Sequence, residues 1–323
     1  MRIRARGLLA RIVVSFFLLS AVIVVFLTAL AHAAIVGGTR SAVIGQLDTL
    51  ATTKEQALDT WIGESLKKVV HAAGEDTLAA AAQAARSDPQ QTALRAHLRS
   101  LQQDWPELGD LMVATQPDGL VVAATTTGLD GQYRNRDSWF VFGRLGPYVQ
   151  SVYPSPVLLR PTLTVSAPIR GRGGGLGVLA ANLDLSVLDW IVADTRGPFH
   201  TTRTYLVDRF SSLVSSRRFG SEQHPRGVHS RGIDAAVAGQ VGSATYVAHD
   251  GIPVVGVYRW LEENKLALVV EVPVSEAYRA TRRLTVLIAT TGILVVAVLA
   301  AGVLILARTL RGDMETYLPF LWR

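Results

Sequence analysis

Residues 161–185 read PTLTVSAPIRGRGGGLGVLAANLDL, and this stretch decides the fold class. Two apolar-rich runs, residues 163–168 and 176–183, have the length and composition of β-strands, and the glycine-rich segment 170–175 separates them. A glycine-rich loop with arginines can also bind phosphate, but such loops open a helix, whereas this one lies between two strands. We therefore predict a β-hairpin.

Strands and turns of the same kind recur on both sides of this hairpin. Further strands are predicted at residues 111–115, 120–125, 148–153, 204–207, 213–215, 243–248, 252–260 and 266–272. Short helices are predicted near residues 137–142, 185–193 and 232–238. These elements form two successive rounds of antiparallel strands, a meander with helices on one side, which is typical of the α+β class.

The segment before the strands is predicted to be helical. Apolar residues recur at helical spacing between residues 43 and 70, which predicts a long amphipathic helix with a core-facing stripe, part of which could form a dimer seam. Asp88-Pro89 predicts the N-cap and first position of a second helix that runs to about Gln103. Trp105-Pro106 then ends that helix.

Two uninterrupted apolar runs flank this region, and each exceeds the roughly 20 residues that span a bilayer as a helix. Four arginines precede the first run, so the positive-inside rule places the N-terminus in the cytoplasm. The predicted order is a cytoplasmic N-terminus, a transmembrane helix, an extracytoplasmic domain, a second transmembrane helix and a short cytoplasmic tail, at residues 1–11, 12–36, 37–283, 284–307 and 308–323.

The first apolar run has an alternative interpretation as a cleaved signal peptide. Ala29-Leu30-Ala31 offers the small-residue pattern of a cleavage site. The run is longer than the roughly 7 to 15 apolar residues of a secretory signal, which favours a permanent anchor.

Composition and motifs argue against several function classes. The absence of cysteine excludes disulfides, thiolate zinc sites and thiol nucleophiles. The net charge of +6 comes mostly from arginines that are scattered among acidic residues or cluster at the chain ends, so nucleic acid is not a predicted partner. Glu222, His224 and His229 lack the spacing of a helical zinc site, and no Gly-x-Ser-x-Gly motif is present. We predict no enzyme activity, metal or cofactor.

Several motifs resemble, in order and spacing, the double Cache (dCache) extracytoplasmic sensor domain of bacterial sensor kinases, cyclases and chemoreceptors. The resemblance covers about residues 37–283 and rests on the segments at residues 133–140 (YRNRDSWF), 152–156, 161–168, 176–185, 205–208, 239–242, 251–256, 258–260 and 268–272. It implies a long N-terminal helix carrying two PAS-like antiparallel-sheet modules, a distal one at about 105–195 and a proximal one at about 200–275, flanked by two transmembrane helices.

The resemblance also implies a ligand site in the distal module. Receptors similar to this chain bind amino acids, organic acids or other small solutes there, and a guanidinium, aromatic rings and a carboxylate or amide would suit such ligands. The residues this implies are Tyr133, Arg136, Trp139, Tyr153, Asn182 and Asp184. Two residues rather than one separate Arg136 from Trp139, and Asn182 stands where related receptors often have aspartate, so an amino acid and a simpler carboxylate both stay open.

Each of these residues has a structural alternative, such as a surface ion pair for Arg136 or a helix cap for Asp184. The predicted function is a sensor in the bacterial inner membrane that binds a small molecule and transmits the signal through the second span, with a homodimer expected. The short tail predicts either a truncated receptor or an input subunit for a separate cytoplasmic signalling protein. The alternative function is a membrane-anchored structural or protein-interaction domain without a small ligand.

Overall fold

The computed structural model of the chain describes residues 2–84, 91–155, 161–171, 174–193, 199–215 and 226–316. The chain divides into two compact units. The larger unit comprises residues 44–274, and the smaller one comprises residues 1–43 together with residues 275–323.

The helices confirm most of the predicted helical segments. They are α1 (Arg2–Ala73), α2 (Asp76–Ala84), α3 (Thr92–Asp104), α4 (Ser138–Gly143), α5 (Ser186–Ala193), α6 (Arg231–Val237), α7 (Val274–Ala277) and α8 (Arg279–Thr316). The predicted first span and the amphipathic helix after it form one continuous helix, α1, which Gly37-Gly38 does not interrupt. The predicted cap at Asp88-Pro89 lies outside the described residues, and α3 ends before Trp105-Pro106 as predicted. Helices α2 and α7 were not predicted from the sequence.

The strands confirm the α+β class, and every predicted strand is present within a few residues. They are β1 (Asp110–Thr115), β2 (Val121–Ala124), β3 (Tyr148–Pro154), β4 (Pro161–Gly171), β5 (Gly174–Asn182), β6 (Arg203–Asp208), β7 (Leu213–Ser215), β8 (Gly242–Val247), β9 (Pro253–Leu261) and β10 (Leu266–Pro273). The antiparallel pairing of β4 with β5, with Gly171 opposite Gly174, agrees with the hairpin predicted between them.

The strands form two five-stranded antiparallel sheets with the orders β2-β1-β5-β4-β3 and β7-β6-β10-β9-β8. The prediction of a simple meander was wrong, because the last strand of each round pairs with the first. In the first sheet, the connection that contains α4 carries the chain from the β2 edge to the β3 edge, so β5 closes the sheet beside β1. The identical order of the two sheets confirms the prediction of two similar modules.

We call the first sheet (β1–β5) the distal sheet and the second (β6–β10) the proximal sheet, after the modules predicted from the sequence. Both faces of the distal sheet are buried, which also differs from the prediction of helices on one side only. Side chains alternate between the two faces of a strand. Met112 and Ala114 belong to the same buried cluster as Trp139 and Phe140 of α4, so this face of the sheet, the inner face, is covered by α4. The alternate residues of the strands are buried as well, and α2 and α3 contact the same sheet.

The proximal sheet has a corresponding inner face. Ile233 and Ala236 of α6 are buried against Tyr205, Tyr246 and Val254, which come from three different strands. Aromatic and aliphatic side chains on neighbouring strands bury enough apolar surface to hold a single short helix such as α6 in place.

Polar contacts from the residue 44–73 part of α1 fasten it to both modules. They are Lys68 to Glu107, Lys54 Nζ to the carbonyl of Ile191 (2.6 Å), Asn264 Nδ2 to Asp59 Oδ1 (2.6 Å), and Arg259 to both Asp48 and Glu55. The carboxylates of the ion pairs are 28 to 56 % exposed, and ion pairs in contact with solvent contribute about 0 to 1 kcal/mol, so these contacts chiefly fix the register of the helix on the modules. The prediction that a long helix carries both modules is confirmed.

The smaller unit brings the N-terminal part of α1 together with α8. The hydroxyls of Thr39 and Thr281 are 2.7 Å apart, and a side chain at Gly292 would approach Thr28 Oγ1 within 3.2 Å. Of the described residues, Thr281–Gly302 forms one helical segment with the length and hydropathy of a membrane span, whereas the apolar helical segment Phe17–Ala31 is shorter. The first predicted span therefore stays a prediction.

Candidate functional site

Three hydroxyl side chains lie on the inner face of the distal sheet. Thr162, Thr164 and Ser166 alternate along β4 with the apolar residues Leu163 and Val165, and all five are buried. A buried hydroxyl is costly unless it forms hydrogen bonds, so such a row calls for polar partners on the neighbouring elements.

Thr164 supplies the centre of a hydrogen-bonded chain. It lies opposite Asn182 of β5, and its Oγ1 donates to Asn182 Oδ1 over 2.8 Å. Since a threonine hydroxyl has one proton, the Tyr153 hydroxyl at 3.2 Å from Thr164 Oγ1 must be the donor of that second contact. Burial raises the pKa of Tyr153, so the phenol stays protonated and keeps this role at neutral pH.

A second group of polar side chains lies at the entry to α4. Asp137 Oδ2 accepts from Arg134 Nη1 and from Trp139 Nε1, each over 3.2 Å. Arg134 Nη2 donates to Gln132 Oε1 over 2.6 Å, and the arginine side chain is only 13 % exposed. Asp137 occupies the N-cap position of α4 without capping it through its side chain, because its carboxylate is held by the guanidinium and the indole.

Close packing fixes Trp139 against the sheet. Its backbone N–H donates to Gln150 Oε1 over 2.8 Å, and its carbonyl accepts from Ser166 Oγ over 2.8 Å. Gly143 permits this approach, since a side chain there would lie 2.5 Å from Ser166 Oγ. The indole packs edge to face against Phe140 and forms an apolar wall beside the polar groups.

Trp139 connects the two polar groups, because its indole donates to Asp137 and its carbonyl accepts from Ser166, two positions from Thr164 on β4. Besides burial, the charge of Asp137 raises the pKa of Tyr153 and the charge of Arg134 lowers it, so both charges lie within electrostatic range of the phenol. We call this set of six residues the distal polar cluster: Arg134, Asp137, Trp139, Tyr153, Thr164 and Asn182. It combines a guanidinium, a carboxylate, a phenol, a hydroxyl and an amide beside an aromatic wall, and groups of these kinds orient small polar ligands in binding sites.

Three of the six residues that the sequence analysis singled out, Trp139, Tyr153 and Asn182, belong to this cluster. Two others lie at the surface. Tyr133 is 66 % exposed and forms an isolated β-bridge with Leu120, and Arg136 is exposed in the turn before α4.

Asp184 instead holds the first turn of α5. Its carboxylate accepts from the backbone N–H of Ser186 over 2.9 Å and from Ser186 Oγ over 2.7 Å. The alternation that would place Asn182 and Asp184 on one face does not reach Asp184, because β5 ends at Asn182. Asp184 therefore lies two residues before α5 and binds its first residue, which is a structural role of the kind that the alternative interpretation gave it.

Arg134, Asp137 and Thr164 were not singled out from the sequence. A signal for Thr164 was present in the period-two row of hydroxyls within β4. Arg134 and Arg136 both stand close before Trp139, and only the extended backbone around Tyr133, visible in its β-bridge, distinguishes them. Neighbours in an extended segment point in opposite directions, so an exposed Tyr133 goes with a mostly buried Arg134, whereas Arg136 lies in the following turn, where this alternation no longer holds.

Comparison with solved structures shows the same fold in sensor domains of two receptor classes. The sensor domain of the V. cholerae histidine kinase DctB superposes with a TM-score of 0.54 at 14 % identity, covering 73 % of this chain and 98 % of that one. The ligand-binding domain of the Campylobacter jejuni chemoreceptor Tlp3, in complex with 4-methylisoleucine, superposes with a TM-score of 0.53 at 12 % identity, covering 73 % of this chain and 93 % of that one.

Sequence comparisons give the family. No curated protein matches the chain significantly by sequence. The profile of the Cache domain, of the dCache type, matches residues 38–281, which is most of the chain and includes both sheets. The chain therefore belongs to the double Cache family of sensory ligand-binding domains.

Proposed function

We propose that the chain is a membrane-anchored extracytoplasmic sensor whose distal polar cluster binds a small molecule. The observation that carries the proposal is the inner face of the distal sheet, where a buried chain of hydrogen bonds, Tyr153 to Thr164 to Asn182, lies within electrostatic range of the Arg134–Asp137 pair. Membership of a sensory family supports a binding role over a catalytic one.

The chemistry of the cluster favours a ligand with a carboxylate. Arg134 is the mostly buried guanidinium of the cluster, and a guanidinium binds a carboxylate through two parallel hydrogen bonds. Asp137 holds that guanidinium in the structure, so a carboxylate ligand would share or replace this contact. An amino acid also carries an ammonium group, which binds best to a carboxylate. Asn182 offers an amide instead, so we rank simple organic acids before amino acids.

The ligand is sought by thermal unfolding of the full-length chain in detergent micelles, screened against organic acids and amino acids. A ligand present at about 100 times its Kd stabilises the folded state by about 2.7 kcal/mol, which raises Tm measurably. Amino acids belong in the screen because the Tlp3 domain was solved with 4-methylisoleucine.

Two arginines two positions apart give a matched pair of variants. Arg134→Ala should abolish the ligand-induced rise in Tm, because it removes the guanidinium of the cluster. Arg136→Ala changes an exposed arginine in the same loop and should leave the rise intact. An equal loss in both variants would contradict the assignment to Arg134, and a folded chain that no acid or amino acid stabilises would favour the protein-interaction alternative.

The proposal includes transmission from the distal module through the second apolar helix and assembly as a homodimer in the membrane. Ligand binding can shift a protein only between states for which the ligand has different affinities. Crosslinking of the full-length chain in vesicles, with and without the stabilising ligand, tests both points. An unchanged monomer under both conditions would remove homodimerisation from the proposal.

A further inference from the structure

The identical strand order of the two sheets lets equivalent positions be identified by register. In the distal sheet, Asn182 of β5 lies opposite Asp110, the first residue of β1. In the proximal sheet, Glu271 of β10 lies opposite Arg203, the first residue of β6. The position that carries an amide in the distal polar cluster therefore carries a carboxyl group in the proximal module.

Glu271 is fully buried and sits among phenols. Its Oε1 accepts from the hydroxyls of Tyr205 and Tyr246, over 2.7 and 2.8 Å. Its Oε2 is also buried and has no hydrogen-bond partner among the described residues. Burial raises the pKa of Glu271, although the two phenols and the charge of Arg203 oppose the rise. An ionised carboxylate with one unsatisfied oxygen is costly at such a site.

The cation that acts on Glu271 already forms an ion pair through one of its nitrogens, while its buried Nε has no hydrogen-bond partner among the described residues. Arg203, 8 % exposed, forms an ion pair with Asp250, whose side chain is 28 % exposed. Burial alone would raise the pKa of Asp250, but the backbone N–H of Ile252 and the guanidinium of Arg203 lower it, so Asp250 is the anion of this pair. Glu271 therefore shares Arg203 with a carboxylate that is more readily ionised.

Within the described part of the chain, the other elements around Glu271 bring no additional positive charge close to it. His249 packs edge to face on Tyr205, with ring centroids 5.4 Å apart, and burial lowers the pKa of His249, which favours the neutral ring. Burial raises the pKa of both Tyr205 and Tyr246, so both phenols remain donors. Tyr258 of β9 packs on Tyr246, and α6 contributes apolar residues to this face.

The Tyr246 ring fills the space beside the carboxyl group. A side chain at Gly232 would lie 2.1 Å from Tyr246 Oη, and one at Gly256 would lie 2.4 Å from it, so two glycines make room for this phenol. On this side of the carboxyl group, a solute would have to displace the ring. A proton needs no such space.

We propose that Glu271 is a proton-binding site of the proximal module, which takes up a proton from mildly acidic solvent and releases it as the pH rises. Binding converts the carboxylate into a neutral carboxyl group, with the proton on Oε2. Loss of that proton leaves a negative charge that competes with Asp250 for Arg203. Asp250 also accepts from the N–H of Ile252, so the competition loosens the turn between β8 and β9.

The sign of the pH dependence follows from the raised pKa of Glu271. A carboxyl group whose pKa is higher in the folded state than in the unfolded state binds its proton more tightly when folded. Its contribution to stability is complete below the ordinary glutamate pKa and is lost as pH rises through the raised value. The usual salt-bridged carboxylate behaves in the opposite way.

The test compares the full-length chain with Glu271→Gln in detergent micelles, by thermal unfolding between about pH 5 and about pH 8. The amide of this variant is a neutral mimic of the protonated carboxyl group, so the variant should unfold a few degrees higher than the wild type at the alkaline end and converge with it at the acid end. Glu262→Gln, in the exposed Glu262–Lys265 pair of the same module, is the matched control and should track the wild type.

Infrared difference spectroscopy of the wild type provides a readout that does not depend on a variant folding. Acidification should produce the carbonyl stretch of a protonated buried carboxyl group, and Glu271→Asp should shift that band. Parallel pH profiles for wild type and Glu271→Gln, or the absence of the band, would overturn the proposal. An alkylammonium salt that stabilises the wild type at constant pH, but not Glu271→Gln, would also overturn it. The ligand of Glu271 would then be an organic cation. Failure of the distal ligand screen leaves these readouts unaffected.

Discussion

Thr164 is the residue on which the distal polar cluster depends most directly. It accepts from Tyr153 and donates to Asn182, so its hydroxyl satisfies one group on each side. Thr164→Val keeps the shape of the side chain but leaves both partners without this contact in a buried place. We expect a loss of about 1 to 3 kcal/mol in the free energy of unfolding, measured by chemical denaturation.

A double-mutant cycle separates the hydrogen bond from a general packing effect. Tyr153→Phe removes the donor to Thr164, so combining it with Thr164→Val should cost less than the sum of the two single changes. Strict additivity would mean that the two hydroxyls do not interact in solution.

At the residue scale, the family resemblance implied Trp139, Tyr153 and Asn182, and the structure brings these three together in the distal polar cluster. Their contact with a ligand stays a prediction. The choice between Arg134 and Arg136 could not be made from spacing, since it depends on the direction of an extended segment that a single β-bridge fixes. Glu271 escaped notice because a lone glutamate in an apolar strand carries no spacing signal, and its tyrosine partners are distant in sequence.

At the scale of elements, the start of α5 depends on the side chain of Asp184. This carboxylate binds the first residue of the helix through both backbone and hydroxyl groups of Ser186. Asp184→Ala should reduce the free energy of unfolding by about 0.5 to 2 kcal/mol, as the loss of a capping side chain does. Asp184→Asn retains an acceptor oxygen and should restore most of the loss.

The same pair of variants tests whether Asp184 also takes part in ligand binding. If its role is confined to α5, the ligand that stabilises the wild type should raise the Tm of Asp184→Ala by the same increment. A smaller increment in Asp184→Ala, together with an unchanged increment in Asn182→Ala, would return Asp184 to the binding site and remove Asn182 from it.

Element types were predictable from local periodicity, whereas strand order was not. Alternating apolar residues and glycine turns locate all ten described strands within a few residues. The placement of β5 beside β1 depends on how the long connection through α4 crosses the sheet, and no local pattern encodes that path. Helix α2 was missed because its alanine-rich sequence shows little contrast between faces.

At the scale of the whole molecule, the repeated sheet separates two kinds of chemistry. The distal module places an amide at the end of the hydrogen-bonded chain from Tyr153 through Thr164, and the proximal module places a buried carboxyl group at the equivalent position. If the two sites are independent, Arg134→Ala should leave the pH dependence of unfolding unchanged, and Glu271→Gln should leave ligand-induced stabilisation unchanged. Both are measured by the same thermal assay, and cross effects would show coupling between the modules.

The apolar helices give the last prediction, which concerns topology. Side chains such as Val25, Phe26 and Ile293 are at least 65 % exposed, and large exposed apolar surfaces are typical of protein or membrane contact sites. If α1 and α8 both cross the bilayer, a periplasmic-type reporter fused near residue 150 should be active and one fused after residue 316 inactive.

Ile293→Arg, which costs about 2.5 to 3.5 kcal/mol at the centre of a span, should reduce membrane insertion of α8. A cytosolic reporter near residue 150, or a mature chain that begins after Ala31, would contradict the two-span arrangement, because the first apolar segment would then act as an export signal or not insert at all.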